Sequence, residues 1–307
     1  MKKKIVILDN IGGGRLANQL WNYMAWYAYV LEKNIKLENY AFFDYAKFFN
    51  IPAPKNIFIN LAFFILNKIK VYRDLRLYDN FIAYIHNNFK AQVVEDDRVN
   101  TIYLLPTPNK KDPTAILHKL ETLKGKIYIS GWLFRNPDGL IKYRTRILEY
   151  FKPKREIIEK VDSFVSSIRE KYKHIFGVHI RQTDYKKWQN GKYYFSPEEV
   201  NKIMNNFLLE YKIKPSDSAF VICSDDKIDY QIFKDLNIFF PKGNMVEDML
   251  TLSKTDLILG NDSTFGAFAS YYGNIPFIVF ERNGIEWNYY RDKDGYFENK
   301  KNTLTQY

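Results

Sequence analysis

Short apolar or β-branched runs alternate with segments of helical period through the second half of the chain, and no other feature limits the fold as strongly. This alternation is typical of βαβ units, in which helices join parallel strands. The expected strands lie at residues 175–180, 219–223, 237–240, 256–259 and 277–280. The expected helices lie near residues 155–171, 227–235, 246–254 and 264–272, with another beginning at Ser196. The sequence therefore predicts a parallel α/β sheet of the nucleotide-binding type.

Local signals mark where one helix begins and where the chain divides. Ser196 is followed by Pro197 and Glu199, which is the spacing of a helix N-cap with a capping box. A proline-interrupted basic segment at residues 151–154 precedes the helix expected over residues 155–171. We therefore expect two domains, residues 1–152 and 153–307, which suits a chain of 307 residues.

The first half begins with a further unit of strand, glycine turn and helix. The expected strand is Lys4–Leu8, the turn is Gly12–Gly14, and the helix runs from about residue 16 to residue 32. Beyond this unit the pattern is weaker, with helices expected at residues 57–72 and 113–123 and a strand at residues 127–130. Both halves are therefore predicted to be α/β.

The chain carries an excess of positive charge. Lysine and arginine exceed aspartate and glutamate by 11, so nucleic acid, anionic lipid and phosphorylated small molecules are all attracted to it. No long basic run and no nucleic-acid-binding motif is present, so nucleic acid is not an expected partner. The single cysteine, Cys223, cannot form an internal disulfide, and the four histidines lack HxxxH spacing. We therefore expect no metal site.

The apolar segments bear on the expected location. Residues 5–8 are too short for a signal-peptide core, and the longest apolar run, Ile57–Leu66, falls well below the ~20 residues that span a bilayer. We expect a cytoplasmic protein. Because Lys68 and Lys70 follow the run, it could be either a buried helix or an amphipathic segment lying on an anionic membrane. Peripheral membrane contact therefore stays open.

Polar residues directly follow three of the expected strands. They are Arg181–Tyr185, Ser224–Asp226 and Asn261–Thr264. Taken singly, a surface ion pair and ordinary helix caps explain each cluster. The carboxyl ends of parallel strands, however, meet at one edge of a sheet, where ligands bind. Together the clusters favour a diphosphate site in which Arg181 lies beside a helix start at Ser263 and Thr264.

Several motifs also resemble one enzyme family. Residues 179–185, His-Ile-Arg-Gln-Thr-Asp-Tyr, resemble the HxRxxD motif of the fucosyltransferases that form α1,2 and α1,6 links or modify protein serine and threonine. Residues 14–19 look like the N-terminal GxxxNQ loop of that family, and residues 131–134 like a segment of its bacterial α1,2 members. The matches to later motifs are at residues 224–226, 247–249 and 261–265, in the family's order. The chain departs from the family at Ala17, Gln182–Thr183 and Asp262–Ala267.

The resemblance implies a GT-B fold, in which two Rossmann-like domains face a cleft. The N-terminal domain would provide the acceptor side and the C-terminal domain would hold a GDP-sugar. The implied reaction moves fucose from GDP-fucose to a hydroxyl of a glycan or lipid-linked saccharide, in an α1,2-like linkage, by one inverting displacement. GDP-fucose is then a donor substrate, and no cofactor is implied. Because arginine and helix-end amides would meet the phosphate charge, we expect metal independence.

The resemblance also implies catalytic roles. Arg181 would stabilise the negative charge that develops on the departing phosphate, assisted by Ser263 and Thr264. Asp184 would either orient Arg181 or act as a general base toward the acceptor hydroxyl. As a structural alternative, Arg181 and Asp184 form only an ion pair.

Further residues are expected to bind the donor. Asp248 would accept hydrogen bonds from the guanine edge, with His179 beside the base. The remaining donor-binding candidates are Arg15, Asn18, Asp225 and Asp226. Structural explanations exist here as well: a satisfied histidine at a strand end, acidic residues that complement a helix dipole, and caps of a following helix.

Two rival functions stay open. Asp292 and Asp294 could form a metal-binding DxD motif of a metal-dependent glycosyltransferase, although they lie in a polar stretch typical of a turn. The chain could also be a sugar- or nucleotide-binding module without turnover, because Gln182 replaces an arginine that is usual in the family. Within the transferase interpretation, a GDP-sugar other than GDP-fucose is a further alternative.

Overall fold

The computed structural model describes residues 3–9, 15–52, 100–104, 120–131 and 134–291. The chain divides into two compact units, Met1–Lys152 and Pro153–Tyr307. Several sequence predictions lie outside the described residues: the glycine turn at 12–14, the helix at 57–72 with its apolar run, most of the helix at 113–123, residues 132–133 and the Asp292–Asp294 stretch.

The described part of the N-terminal unit contains a parallel sheet with four strands in the order β2-β1-β4-β3. Its elements are β1 (Lys4–Asp9), α1 (Leu16–Lys33), β2 (Lys36–Asn39), α2 (Phe43–Ala46), β3 (Asn100–Leu104), β4 (Lys126–Gly131), α3 (Pro137–Lys142) and α4 (Arg144–Tyr150). The predictions of β1, α1 and β4 are confirmed, whereas β2 and β3 were not predicted. Helix α1 packs through aromatic side chains, and the Trp26 ring stacks 3.9 Å from the Phe134 ring.

Within residues 153–291, five parallel strands form a sheet in the order β7-β6-β5-β8-β9. Its elements are α5 (Arg155–Arg169), β5 (His174–Ile180), α6 (Pro197–Glu210), β6 (Ser218–Ser224), β7 (Ile238–Phe239), α7 (Met245–Leu252), β8 (Leu257–Gly260), α8 (Thr264–Gly273), β9 (Phe277–Val279) and α9 (Trp287–Arg291). From β5 the chain builds the sheet outward through β6 and β7, and then returns to the other side of β5 for β8 and β9. The order of strands therefore reverses beside β5, which is where open α/β sheets bind ligands.

Local sequence explains where the elements of this unit begin and end. The capping box at Ser196 is confirmed, because the Ser196 hydroxyl accepts from the Glu199 amide and the Glu199 carboxylate accepts from the Ser196 amide. The helix expected over residues 227–235 is wrong, since only a short 3-10 turn forms at Tyr230–Phe233. Side chains of Ser224, Asp226 and Asp229 bind nearby backbone amides there, and such bonds compete with a helix.

Two glycines allow α8 to lie close to its neighbours. A Cβ at Gly266 would be 2.7 Å from the Phe277 ring of β9, and a Cβ at Gly273 would collide with the Ser253 backbone carbonyl. Side chains at these positions would force the helix away. The first turn of α8 is thereby held at the carboxyl edge of the sheet, next to the end of β8.

Among the helices that the structure describes, none combines the length and the apolar character that crossing a membrane requires.

Candidate functional site

Arg181 is the first residue after β5, and its backbone is fixed to the end of β8. The Arg181 amide donates to Asn261 Oδ1 at 2.7 Å, and Asn261 is completely buried. The Asn261 side chain also donates from Nδ2 to the Tyr193 carbonyl at 2.7 Å. Asn261 therefore ties the end of β8 to both ends of the loop that follows β5.

The Arg181 side chain lies between two carboxylates. Its Nε is 2.8 Å from Asp184 Oδ1 and 3.2 Å from Asp225 Oδ2, and its guanidinium carbon lies 5.6 Å from the centre of the Tyr185 ring. The Arg181 side chain is 17% exposed, whereas that of Asp184 is 54% exposed. The guanidinium is thus held in one orientation, with part of it open to a ligand.

Asp225 stabilises the loop after β5. Its carboxylate accepts from the Gln182 amide at 2.7 Å, the Thr183 amide at 3.3 Å and the Thr183 hydroxyl at 2.5 Å, besides pairing with Arg181. Burial by itself raises the pKa of Asp225, but these hydrogen bonds and the Arg181 charge bring the pKa below its usual value. Asp225 is therefore an ionised carboxylate that positions Arg181.

Gln182 occupies one of the positions at which the chain departs from the family resemblance. Its side chain is buried, and its Nε2 donates to the Phe195 carbonyl at 2.8 Å. The Gln182 side chain therefore stabilises the loop after β5 through a buried hydrogen bond, and it does not present a second cation to a ligand.

His179 lies on β5 beneath the start of α8. The His179 Nδ1 is 3.0 Å from the Ser263 hydroxyl, and the ring stacks 4.9 Å from the Phe265 ring. Burial, assisted by the nearby Arg181 charge, lowers the pKa of His179 to about 3. The imidazole is therefore neutral near pH 7 and packs under the helix start.

Ser263 and Thr264 begin α8, as the sequence predicts. The Ser263 hydroxyl accepts from the Gly266 amide at 3.3 Å and so caps the helix, while Tyr185 donates its hydroxyl to the Asp262 carbonyl at 2.8 Å. Thr264 is half-buried and lies in the first turn. Because the first amides of a helix have no intrahelical acceptor, this turn presents partial positive charge at the strand-end edge.

A pocket of about 230 Å³ lies at the carboxyl end of β6. Its lining residues are Ile222, Cys223, Ser224, Asp226, Lys227, Ile228, Tyr230, Phe240, Pro241 and Asp248. Asp226 and Asp248 were predicted from the sequence, whereas the rings of Tyr230 and Phe240 were not. Phe240 follows β7 directly, but the strand expected at residues 237–240 included it, so the rule that ligands bind at strand ends did not single it out.

Asp248 is the unusual group of this pocket. Its Oδ1 is buried and has no hydrogen-bond partner among the described residues. Burial, together with the nearby Glu247 charge, raises the pKa of Asp248 to about 7, against a smaller lowering by Lys160. A buried carboxyl that lacks a partner is costly, and such groups mark candidate ligand sites.

Residues next to Asp248 cap the start of α7, so the Asp248 carboxyl is not needed for helix capping. The Asn244 side chain accepts from the amides of Val246 and Glu247 and thereby caps the helix. The Glu247 carboxylate lies 2.5 Å from Lys160 Nζ and also accepts from Asn244 Nδ2 at 2.9 Å. Helix capping therefore explains Asn244 and Glu247, and it leaves the Asp248 carboxyl facing the pocket.

The other predicted donor-binding residues, Asp226, Arg15 and Asn18, are not part of the Arg181 cluster. The Asp226 carboxylate is 3.5 Å from Lys186 Nζ at the surface. In the N-terminal unit, Arg15 precedes α1 and is exposed, and Asn18 lies in its first turn. Asn18 Oδ1 is buried without a hydrogen-bond partner among the described residues. The C-terminal unit thus brings together Arg181, Asp184, Asp225, Ser263 and His179 at one strand-end edge, while Arg15 and Asn18 belong to the other unit.

No group of three histidine, cysteine, aspartate or glutamate side chains in the described ranges is arranged to hold a metal ion.

Comparison with solved structures identifies proteins of similar fold. An Arabidopsis thaliana FUT1 mutant in complex with GDP aligns with a TM-score of 0.55 at 14% identity over 96% of this chain and 73% of that one. NodZ α-1,6-fucosyltransferase soaked with GDP-fucose aligns with a TM-score of 0.53 at 13% identity over 93% and 97%. POFUT1 in complex with GDP aligns with a TM-score of 0.51 at 11% identity over 91% and 98%.

No family model matches the chain, and no curated protein matches it significantly. At these identities the structural likeness establishes the fold. The chain therefore has the mixed α/β fold with parallel sheets found in these fucosyltransferases, as the sequence predicted.

The raised pKa of Asp248 predicts a pH-dependent gain of stability in Asp248→Asn. In the unfolded chain the carboxyl ionises near its ordinary value of 3.8, whereas in the folded protein it keeps its proton to about pH 7. The parent therefore loses stability as the pH rises from about 4 to 7, and the neutral asparagine does not. In thermal unfolding, the midpoint of Asp248→Asn minus that of the parent should grow between pH 5 and 7.5 and level off above.

Asp235→Asn, at an exposed carboxylate, controls for the loss of one charge. If the midpoint difference between Asp248→Asn and the parent does not change with pH, the pKa of Asp248 is not raised in the folded protein.

Proposed function

We propose that this chain is a glycosyltransferase that moves fucose from GDP-fucose to a hydroxyl of a glycan or lipid-linked saccharide. One observation carries the proposal: a buried carboxyl oxygen, Asp248 Oδ1, has no hydrogen-bond partner among the described residues and borders a pocket on the same strand-end edge as a clamped arginine and a helix start. These groups match the two ends of a guanosine diphosphate. The fold shared with fucosyltransferases solved with GDP or GDP-fucose supports the same donor.

In this proposal the pocket after β6 receives guanine. The N1–H and the 2-amino group of guanine are adjacent donors, and Asp248 Oδ1, which has no partner among the described residues, would accept from that edge. The rings of Tyr230 and Phe240 provide apolar surface for the base. His179 would act indirectly, because its ring supports Ser263 and Phe265 at the helix start.

The diphosphate would lie against Arg181 and the first turn of α8. As the bond between fucose and phosphate breaks, negative charge grows on the leaving GDP, and a fixed guanidinium with helix-end amides stabilises it. Asp184 and Asp225 orient the guanidinium, as their distances of 2.8 and 3.2 Å indicate. Thr264 would present its amide and hydroxyl, and Ser263 would keep the turn in place.

We assign this chemistry to a GT-B type enzyme that works by one inverting displacement, without a metal, and with an α1,2-like linkage. The C-terminal unit would hold the donor, and the N-terminal unit would provide the acceptor side. Arg15 and Asn18 would contribute to donor binding from the N-terminal unit; the buried Asn18 Oδ1, without a partner among the described residues, supports a ligand there.

A second candidate is a GDP-sugar-binding module without turnover. Gln182 favours it, because the buried amide of Gln182 bonds to the Phe195 carbonyl and adds no second cation. Measuring GDP release from GDP-fucose and GDP-mannose separates the two candidates and also tests the choice of sugar.

Arg181→Lys should lower turnover on the order of 10²- to 10³-fold, the typical loss for one donor placed at developing charge. An ammonium keeps the charge but cannot reproduce the planar contacts of the guanidinium. The initial rate of GDP release at saturating donor measures this effect. Arg169→Lys is the matched control, because Arg169 also makes two contacts to a carboxylate, Asp256, away from the strand-end edge. Normal turnover in a folded Arg181→Lys protein would remove Arg181 from the mechanism.

Chelation should leave the initial rate of transfer nearly unchanged, because arginine and helix-end amides meet the phosphate charge. The measurement is the rate with and without EDTA, followed by addition of Mn²⁺. If EDTA abolished transfer, Mn²⁺ restored it, and Asp292→Ala and Asp294→Ala were inactive, the metal-dependent alternative would replace this proposal.

GDP should raise the thermal unfolding midpoint far more than UDP at equal concentration, since uracil does not present the two donors that face Asp248. A ligand at 100 times its dissociation constant stabilises a folded protein by about 2.7 kcal/mol. Asp248→Ala should erase most of the difference between GDP and UDP. Asp226→Ala should retain it, because the Asp226 carboxylate lines the same pocket but contacts Lys186. Equal shifts from GDP and UDP in the parent would refute the guanine assignment.

A further inference from the structure

The loop that follows Arg181 carries a cluster of stacked aromatic rings. The Trp188 ring lies 5.2 Å from the Tyr185 ring at an interplanar angle of 27°, and 5.1 Å from the Tyr193 ring at 29°. Tyr185 is buried and Tyr193 half-buried, but Trp188 is 40% exposed. We call these three rings the aromatic platform. The proposed donor site uses none of them directly.

The distances show which face of Trp188 is open. The rings of Tyr185 and Tyr193 are 6.2 Å apart. Carbon atoms in contact are about 3.5 Å apart, so two rings stacked on opposite faces of the indole would be separated by at least about 7 Å. Because the separation is shorter, both tyrosines lie to one side of Trp188, and we infer that the exposed 40% includes the other face. An indole face that is open to water offers apolar surface on which the apolar face of a ligand can stack.

The backbone holds the platform in place at a conformational cost. Gln189 and Asn190 have φ values of 46° and 58°, and Gly191 has a φ of 73°, so three consecutive residues adopt left-handed conformations. Left-handed conformations are unfavourable for residues other than glycine, and they persist where the surroundings impose them, often at functional sites. This turn brings Tyr193 back against Trp188.

The platform is also continuous with the proposed phosphate site. The Tyr185 ring lies 5.6 Å from the Arg181 guanidinium, and the Tyr185 hydroxyl donates to the Asp262 carbonyl just before α8. The Tyr193 carbonyl accepts from Asn261, the residue that fixes the Arg181 amide. Tyr185, which contacts both Arg181 and Trp188, lies on the covered side of the indole. A ligand on the open face of Trp188 would therefore be separated from the proposed phosphate site by the aromatic platform, where an outer sugar of a longer saccharide could reach it.

We propose that the open face of Trp188 adds to the acceptor side expected of the N-terminal unit, and that it binds a pyranose ring of the acceptor saccharide. The face of an indole is electron-rich, and the C–H groups on one face of a pyranose are apolar and weakly positive, so the two stack in water. Trp188 provides the face, and Tyr185, Tyr193 and the Lys192 ammonium 5.1 Å from the Tyr193 ring centre support it. The identification of this sugar as the acceptor rests on the proposed function, whereas the binding of a pyranose does not.

Binding can be tested on the full chain without knowledge of the acceptor. The protein is labelled with 5-fluorotryptophan, and the Trp188 ¹⁹F resonance is assigned from its loss in Trp188→Phe. Methyl glucoside, galactoside and mannoside, the probes, are titrated with sorbitol as the polyol control. We expect a saturable shift of the Trp188 resonance with at least one pyranoside and none with sorbitol. The proposal is overturned if no pyranoside shifts the Trp188 resonance more than sorbitol does. It is also overturned if guanosine is the only ligand that shifts this resonance.

Kinetics test the acceptor assignment. Trp188→Ala should raise the KM for an active glycan acceptor on the order of tenfold, as for loss of one aromatic anchor, and leave GDP binding and acceptor-free hydrolysis of GDP-fucose unchanged. Trp188→Phe should recover most of the loss, and Leu209→Ala, at a residue 75% exposed on α6, should match the parent. An unchanged KM in Trp188→Ala overturns the acceptor assignment. Absence of GDP binding in the parent would instead refute the proposed function, while the ¹⁹F titration would still test the platform.

Discussion

The hydrogen bonds that join the residues after β5 to the ends of β6 and β8 determine the geometry of the candidate site. Asp225 accepts three hydrogen bonds from Gln182 and Thr183 and pairs with Arg181, and Asn261 accepts from the Arg181 amide. These contacts convert three separate strand ends into one rigid edge. A guanidinium that is already oriented loses little entropy when it binds a phosphate, which is what charge stabilisation in a transition state requires.

The same edge contains Asp248, whose buried carboxyl lowers the stability of the ligand-free protein. Asp248 is mostly buried, its Oδ1 has no partner in the described part of the chain, and its pKa is raised to about 7. An apolar residue there would avoid the desolvation cost, so the carboxyl is better explained by binding than by folding. Lys160 offsets part of this cost through its charge, although its own contact is with Glu247.

Much of the fold could be predicted from sequence because the C-terminal unit has strong local patterns. Buried parallel strands appear as continuous apolar runs, and the capping box at Ser196 fixes a helix start. Strand β2 was not predicted because Lys36–Asn39 contains almost no apolar residues. Part of its pairing with β1 is instead an ion pair between Lys4 of β1 and Glu38 of β2. The helix over residues 227–235 was wrong because side-chain bonds from Ser224, Asp226 and Asp229 favour turns there.

The candidate site was predictable in its residues but less so in its geometry. Strand-end position and motif spacing pointed to Arg181, Asp225 and Asp248, but they could not show that Asp225 binds the loop or that Asp248 Oδ1 has no hydrogen-bond partner in the described ranges. No sequence motif predicted the aromatic platform, because its three rings come together only through the left-handed turn at residues 189–191. The spacing of aromatic residues in the sequence does not show that such a turn forms.

Calorimetric titration of GDP-fucose at pH 7, in two buffers of different ionisation enthalpy, tests the central claim most directly. GDP-fucose itself does not titrate near this pH, and guanine would bind only the ionised form of Asp248. Because the pKa of free Asp248 is about 7, we predict release of about half a proton per bound GDP-fucose, falling toward zero above pH 8 and absent in Asp248→Asn. Binding with no proton release at pH 7, or no binding of GDP-fucose at all, would contradict the account.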